Sequence, residues 1–115
     1  MKRKELHQFL SSAVAQSYEG IGIADLNNKI IYVNSAWATM YGYATAEELI
    51  GKSIHIFHNQ EQIDKEVTPF IQIVMQKGVN SAEVSHIRQD GTTSTKMMTT
   101  KLLKMNRGSQ QQYWV

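Results

Sequence analysis

The first apolar residues of the chain fall at Leu6, Phe9, Leu10, Ala13 and Val14, an i, i+3, i+4, i+7, i+8 spacing that lines one side of a helix. The pattern predicts a short amphipathic helix within residues 1–17. After Gly20 the rhythm changes. Two β-rich runs, near Ile21 to Leu26 and Lys29 to Val33, flank Asn27-Asn28, and asparagine tolerates the positive φ of a tight turn, so the stretch reads as a hairpin. Asn34 stands directly before Ser35-Ala36-Trp37-Ala38-Thr39-Met40-Tyr41, where its side-chain oxygen can accept a free amide of a short helix that Gly42 ends.

Thr45-Ala46-Glu47-Glu48 has the capping-box form and predicts a helix of one or two turns running to Ile50 and stopped by Gly51. Ser53 to His58 fits a helical turn or an extended segment equally. Asn59 with Gln62 is a further start signal, and Ile63, Val67, Phe70, Ile71 and Val74 continue one helical face. Pro69 interrupts that face, at a cost of about 3 kcal/mol inside a helix. The segment therefore reads as one helix ending near Thr68 and a second with Pro69 at its first position, closed by Gly78. Ala82 to Arg88, an Asp90-Gly91 turn and Thr93 to Lys104 then read as paired strands; Asn106-Arg107-Gly108 marks another turn and Gln111 to Val115 a last strand. The order gives an α+β domain with an antiparallel sheet.

Composition narrows the function. The chain has 115 residues, enough for one core, and no apolar run near the roughly 18 residues of a membrane span, so this segment reads as soluble and free of membrane contact. Its net charge of +2 is scattered, which argues against nucleic acid as a partner. The absence of cysteine removes disulfides, thiolate metal sites, cysteine nucleophiles and cysteine-linked chromophores, and is compatible with a cytoplasmic setting. A dinucleotide loop fails because Asp25 stands where the third glycine would be. His55, His58 and Glu61 share i, i+3 spacing, but the start signal at Asn59 breaks a common helical face, so no metal site is assigned. No nucleophile elbow or marked carboxylate pair is present, and no catalytic residue is assigned. Asp25, before the turn, reads as a carboxylate accepting backbone amides. Trp37, Met40, Phe57, Phe70 and Met75 read first as core.

The spacing Ile21, Asp25, Ile30, Asn34, then the Trp37 helix, Tyr41-Gly42-Tyr43 and Glu47-Glu48-Leu49-Ile50-Gly51, resembles the first half of a PAS sensor domain. Glu83-Val84-Ser85-His86-Ile87-Arg88-Gln89-Asp90-Gly91-Thr92 is similar to the hairpin that joins that family's third and fourth strands. The resemblance runs from about Ser11 to Val115. It implies a PAS domain over residues 18–115, with a five-stranded antiparallel sheet in the order 2-1-5-4-3, short helices over one face, and a ligand space beneath them.

The residues expected there are Trp37, Met40, Phe57, Phe70, Val74, His86, Lys96 and Met98. In flavin-binding relatives the position of His86, five before Gly91, faces the ligand, and Lys96, five after it, is the corresponding position on the next strand. The alternative is a His86 hydrogen-bonded within the core and a Lys96 that snorkels to solvent. The missing cysteine excludes adduct photochemistry, and the stretch Ile63 to Lys77 lacks the histidine that haem-binding members commonly use. Noncovalent flavin, another small molecule or no ligand stay open, so the cofactor is unassigned. The resemblance implies a cytoplasmic sensory and dimerisation module of a signalling protein, such as a histidine kinase. It is not itself an enzyme, and it passes its signal to an effector domain after Val115. A pocketless protein-interaction module is the rival reading. The opening helix is expected to form a homodimer contact and signal conduit, or else to shield its own sheet.

Overall fold

The computed structural model describes residues 2–107 and 109–114, with side chains through residue 103. Helix α1 covers Arg3–Ala15, after which the chain enters a hairpin of β1 (Gly22–Asp25) and β2 (Ile30–Val33). Asn28 supplies the positive φ of 66° at the turn. Asp25 holds the turn as its type and position suggest: one carboxylate oxygen accepts the amides of Asn27 at 2.9 Å and Lys29 at 3.0 Å. Both strands are shorter than their apolar runs, and a register shift between Ile23 and Ala24 marks a bulge.

Asn34 caps α2 (Ser35–Met40) by accepting the Trp37 amide. The box read at Thr45 forms differently. Ala46 takes the cap position of a 3-10 turn, Glu47–Leu49, without a side-chain bond, while the Glu48 carboxylate accepts the Thr45 amide at 3.0 Å. With no full α-turn above it, the Thr45 hydroxyl has no free amide to cap. The open stretch before Asn59 is a second 3-10 turn, Ile54–Phe57, started by the Ser53 hydroxyl. At Asn59 the capping box is complete: Asn59 accepts the Gln62 amide at 2.8 Å, and the Gln62 side chain accepts the Asn59 amide at 3.1 Å.

Pro69 does not divide the helix that follows. Helix α3 (Gln60–Gln62) passes through a π-turn, Ile63–Val67, directly into α4 (Thr68–Lys77). The helix with Pro69 in its first turn forms as expected, but no break precedes it, because the wider π-turn relieves the clash between the proline ring and the carbonyl four residues back. Gly78, at φ 85°, ends it, its amide held by the Val74 carbonyl at 2.7 Å.

Strands β3 (Val79–Ile87) and β4 (Thr93–Arg107) form a long antiparallel hairpin, and β5 (Ser109–Trp114) pairs with β4 and β1. Neighbouring strands follow the order β2-β1-β5-β4-β3. The turn expected at Asn106-Arg107-Gly108 centres on Gly108, and the expected last strand ends at Val115; both of these residues lie outside the described ones. Two apolar clusters fill the space between helices and sheet. Ala24, Val67, Phe70, Val74 and Val84 form one, and Ile30, Val33, Ala38, Tyr41, Leu49 and Phe57 the other.

Helix α1 takes no part in either cluster. It buries no residue, and Leu6, Phe9 and Leu10 are 44, 60 and 50% exposed, so it does not shield its own sheet. No helix among the described residues is long and apolar enough to cross a membrane.

Candidate functional site

The sequence places an aromatic residue on each of several short helical elements, and the fold brings them together over the sheet. Trp37 and Tyr41 lie 5.2 Å apart between ring centroids, Trp37 and Phe57 5.7 Å, and Tyr41 and Phe57 5.0 Å. Beside this group runs a cleft of about 740 Å³. Trp37, Met40, Phe57, Phe70, His86, Lys96 and Met98 all line it. Val74 does not: it is completely buried beneath Phe70, so it is core and not lining.

The lining divides by exposure. Phe57 and His86 at 1%, Tyr41 at 2% and Val84 at 3% form a closed floor, whereas Trp37, Met40, Lys96 and Met98 are half-buried and form the walls. Met97, Thr99, Lys101 and Leu103 line the cleft as well as Lys96, Met98 and Thr100. Successive strand residues point to opposite faces, so the cleft continues around β4 to the outer side of the sheet. Gly20 and Gly22 give Trp37 its place. A Cβ on Gly20 would lie 3.2 Å from the Trp37 Cα, and one on Gly22 3.3 Å from two carbons of the indole ring.

His86 packs between Tyr41, at 5.0 Å, and His58, at 4.6 Å. Its Nδ1 lies 3.0 Å from the Val84 carbonyl oxygen, which can only accept, so Nδ1 carries the proton and Nε2 a lone pair. Burial, then the neighbouring His58 ring, pushes its pKa down to about 4, so the ring is neutral near pH 7. His58 follows the same logic: Nδ1 donates to the Ser85 carbonyl at 2.9 Å, and burial lowers its pKa. The Ser85 amide in turn donates to the Glu66 carboxylate at 2.9 Å.

Lys96 does not stand opposite His86. The cross-strand pairs are His86 with Ser94 and Val84 with Lys96, because the turn is centred on Asp90 and not on Gly91. The two-residue difference preserves the face, so Lys96 remains on the cleft side as a diagonal neighbour. It has no salt-bridge partner among the described residues. The Trp37 indole nitrogen is buried without a hydrogen-bond partner among them. The cleft thus combines apolar walls with the Lys96 ammonium as a donor.

His58 lines the cleft, as do Tyr41 and Val84, without being among the residues expected there. Its ring turns to Ser85, and Glu61 pairs with Lys65 at 3.0 Å, so the His55, His58 and Glu61 set does not assemble. Among the described residues no three His, Cys, Asp or Glu side chains are grouped to hold a metal ion.

Comparison with known proteins gives a family. The model of the PAS domain matches residues 19–113. Among solved structures, a PAS domain from Colwellia psychrerythraea is 19% identical, with 95% of this chain and 92% of that one covered, at a TM-score of 0.83. A PAS domain from a two-component sensor histidine kinase is 17% identical, with 98% and 94% covered, at 0.78. A PAS domain in complex with ethanol, from a LuxR-family transcriptional regulator of Burkholderia thailandensis, is 14% identical, with 90% and 91% covered, at 0.70. No curated protein matches the sequence.

Proposed function

Because this chain belongs to the PAS domain family, we propose that it is the sensory module of a cytoplasmic signalling protein, a sensor histidine kinase, and that it binds a small molecule noncovalently in the cleft beside Trp37. The observation that carries the reading is a charged donor in an apolar wall. Lys96 lines the cleft and has no salt-bridge partner among the described residues. A ligand oxygen hydrogen-bonded to that ammonium would contribute about 1.5–3 kcal/mol. The ligand is therefore an apolar body with a carbonyl or carboxylate. His58 and His86, neutral and held by backbone carbonyls, shape the floor.

Mass spectrometry of the purified protein under native conditions, then of its organic extract, tests this. A co-purifying small molecule that is lost in Lys96→Met supports the reading. The pocketless interaction module is the second reading, favoured by the 1–3% exposure of the floor residues. A protein that carries nothing, and whose fold is unchanged by Lys96→Met, supports that one.

The exposed stripe of α1 supports a homodimer in which two copies of the helix cover one another and pass the signal to an effector domain. Burying Leu6, Phe9 and Leu10 would each contribute about 1–2 kcal/mol.

A further inference from the structure

Helix α1 buries nothing, yet it leaves the domain at a defined place, and one side chain sets that place. Asn34 is 2% exposed and uses its whole hydrogen-bonding capacity on backbone. Its oxygen accepts the amides of Ile21 and Trp37, each at 3.0 Å. Its nitrogen donates to the Val14 carbonyl at 3.0 Å and to the Glu19 carbonyl at 2.9 Å. A carboxamide is planar, so these four partners cannot move independently without a bond being lost.

The four partners belong to different parts of the molecule. Val14 lies in the last turn of α1, where carbonyls have no intrahelical partner. Glu19 is in the connector, Ile21 leads into β1, and Trp37 lies in α2 and lines the cleft. Among the described residues, the bond to Val14 is the one hydrogen bond between α1 and the domain beyond residue 19. The far side of the joint is stiff, because Trp37 is wedged against Gly20 and Gly22 at 3.2–3.3 Å from where their side chains would begin.

We propose that Asn34 is the positioning residue that couples the cleft to α1: a displacement of Trp37 or of β1 re-aims the helix through this one amide. The inference rests on the reading of α1 as the output helix. It needs no ligand, so it can fail or stand whether or not a small molecule is found.

The absence of cysteine makes the test direct. Gln8→Cys on α1 and Gln72→Cys on α4 take one spin label each, and pulsed dipolar spectroscopy on the full chain reads the distance between them. Gly22→Ala supplies the push on Trp37 from inside the cleft, since its new methyl sits 3.3 Å from the ring. Asn34→Ser supplies the cut. Serine still caps α2 by accepting the Trp37 amide, but it is too short to hold Val14 and Glu19 as well.

The expected result is a displaced mean distance on Gly22→Ala in the otherwise native chain, and loss of that displacement in the Asn34→Ser background. An equal displacement in both backgrounds, or none in either, overturns the proposal. If circular dichroism shows Asn34→Ser unfolded, Asn34→Thr keeps the cap by the same chemistry and is read in its place.

Discussion

His86 makes the stability of this domain depend on pH in a direction and by an amount that the structure sets. Its pKa falls from the ordinary 6.5 to about 4, because burial and the His58 ring disfavour the imidazolium. The unfolded chain therefore binds a proton more readily than the folded one between those two values. Stability is full above pH 6.5, declines as the pH falls below it, and stops declining below about pH 4. Each unit in that window costs about 1.4 kcal/mol, so the loss between pH 7.5 and pH 5 is about 2 kcal/mol. Glu66 opposes the shift and Lys96 adds to it. His58 is lowered too, and contributes loss of the same sign.

Urea titrations at pH 7.5 and pH 5, followed by far-ultraviolet circular dichroism, should show the midpoint falling by roughly 1 M at pH 5. His86→Gln keeps a donor for the Val84 carbonyl and cannot be protonated, so it should retain only the smaller decline due to His58. If His86→Gln and the native chain decline equally, the buried imidazole is not the source and the reasoning fails.

Other substitutions probe other parts of the fold. Asn59→Ala removes the capping box at the start of the π-interrupted helix and should cost about 1 kcal/mol in urea denaturation. Phe57→Ala empties the floor of the cleft and should cost about 3–5 kcal/mol, measured the same way. Gly22→Val overpacks against Trp37, should cost about 1–3 kcal/mol, and should shift the Trp37 emission in a Trp114→Phe background. Sedimentation of the intact chain should show a dimer that dissociates on removal of residues 1–16; equal association in both forms would remove α1 from the contact.

Much of the fold could be read from local signals because those signals act within a few residues. Asn34, Asp25, Asn59 with Gln62, and Gly78 each work through hydrogen bonds or a φ angle in their immediate neighbourhood, and each is found in that role. Pro69 was correctly placed in the first turn of its helix, but the π-turn that joins that helix to α3 without a break has no marker in local sequence. Seven of the eight residues expected around the cleft line it, beside others that were not expected there, Tyr41 and Val84 among them. Val74 does not line it, since helical periodicity separates buried from exposed faces but not core from cleft wall. Lys96 was misplaced in register because counting from a glycine assumes the turn is centred there. His58 went unseen because its role depends on reaching the carbonyl of Ser85, 27 positions away.

That reach has a consequence for how the domain behaves among copies of itself. β3 ends the sheet on one side, and a free strand edge invites another chain to continue it. At Ser85 both backbone groups are already engaged, the amide by Glu66 and the carbonyl by His58. At the opposite edge, the Ile30 amide and carbonyl are taken by Lys52 and Gly51 of the loop that follows. An incoming strand therefore meets one blocked position on each rim. Pairing a further strand across either of those positions first requires a native hydrogen bond to be broken, which sets a cost on joining one sheet to another there.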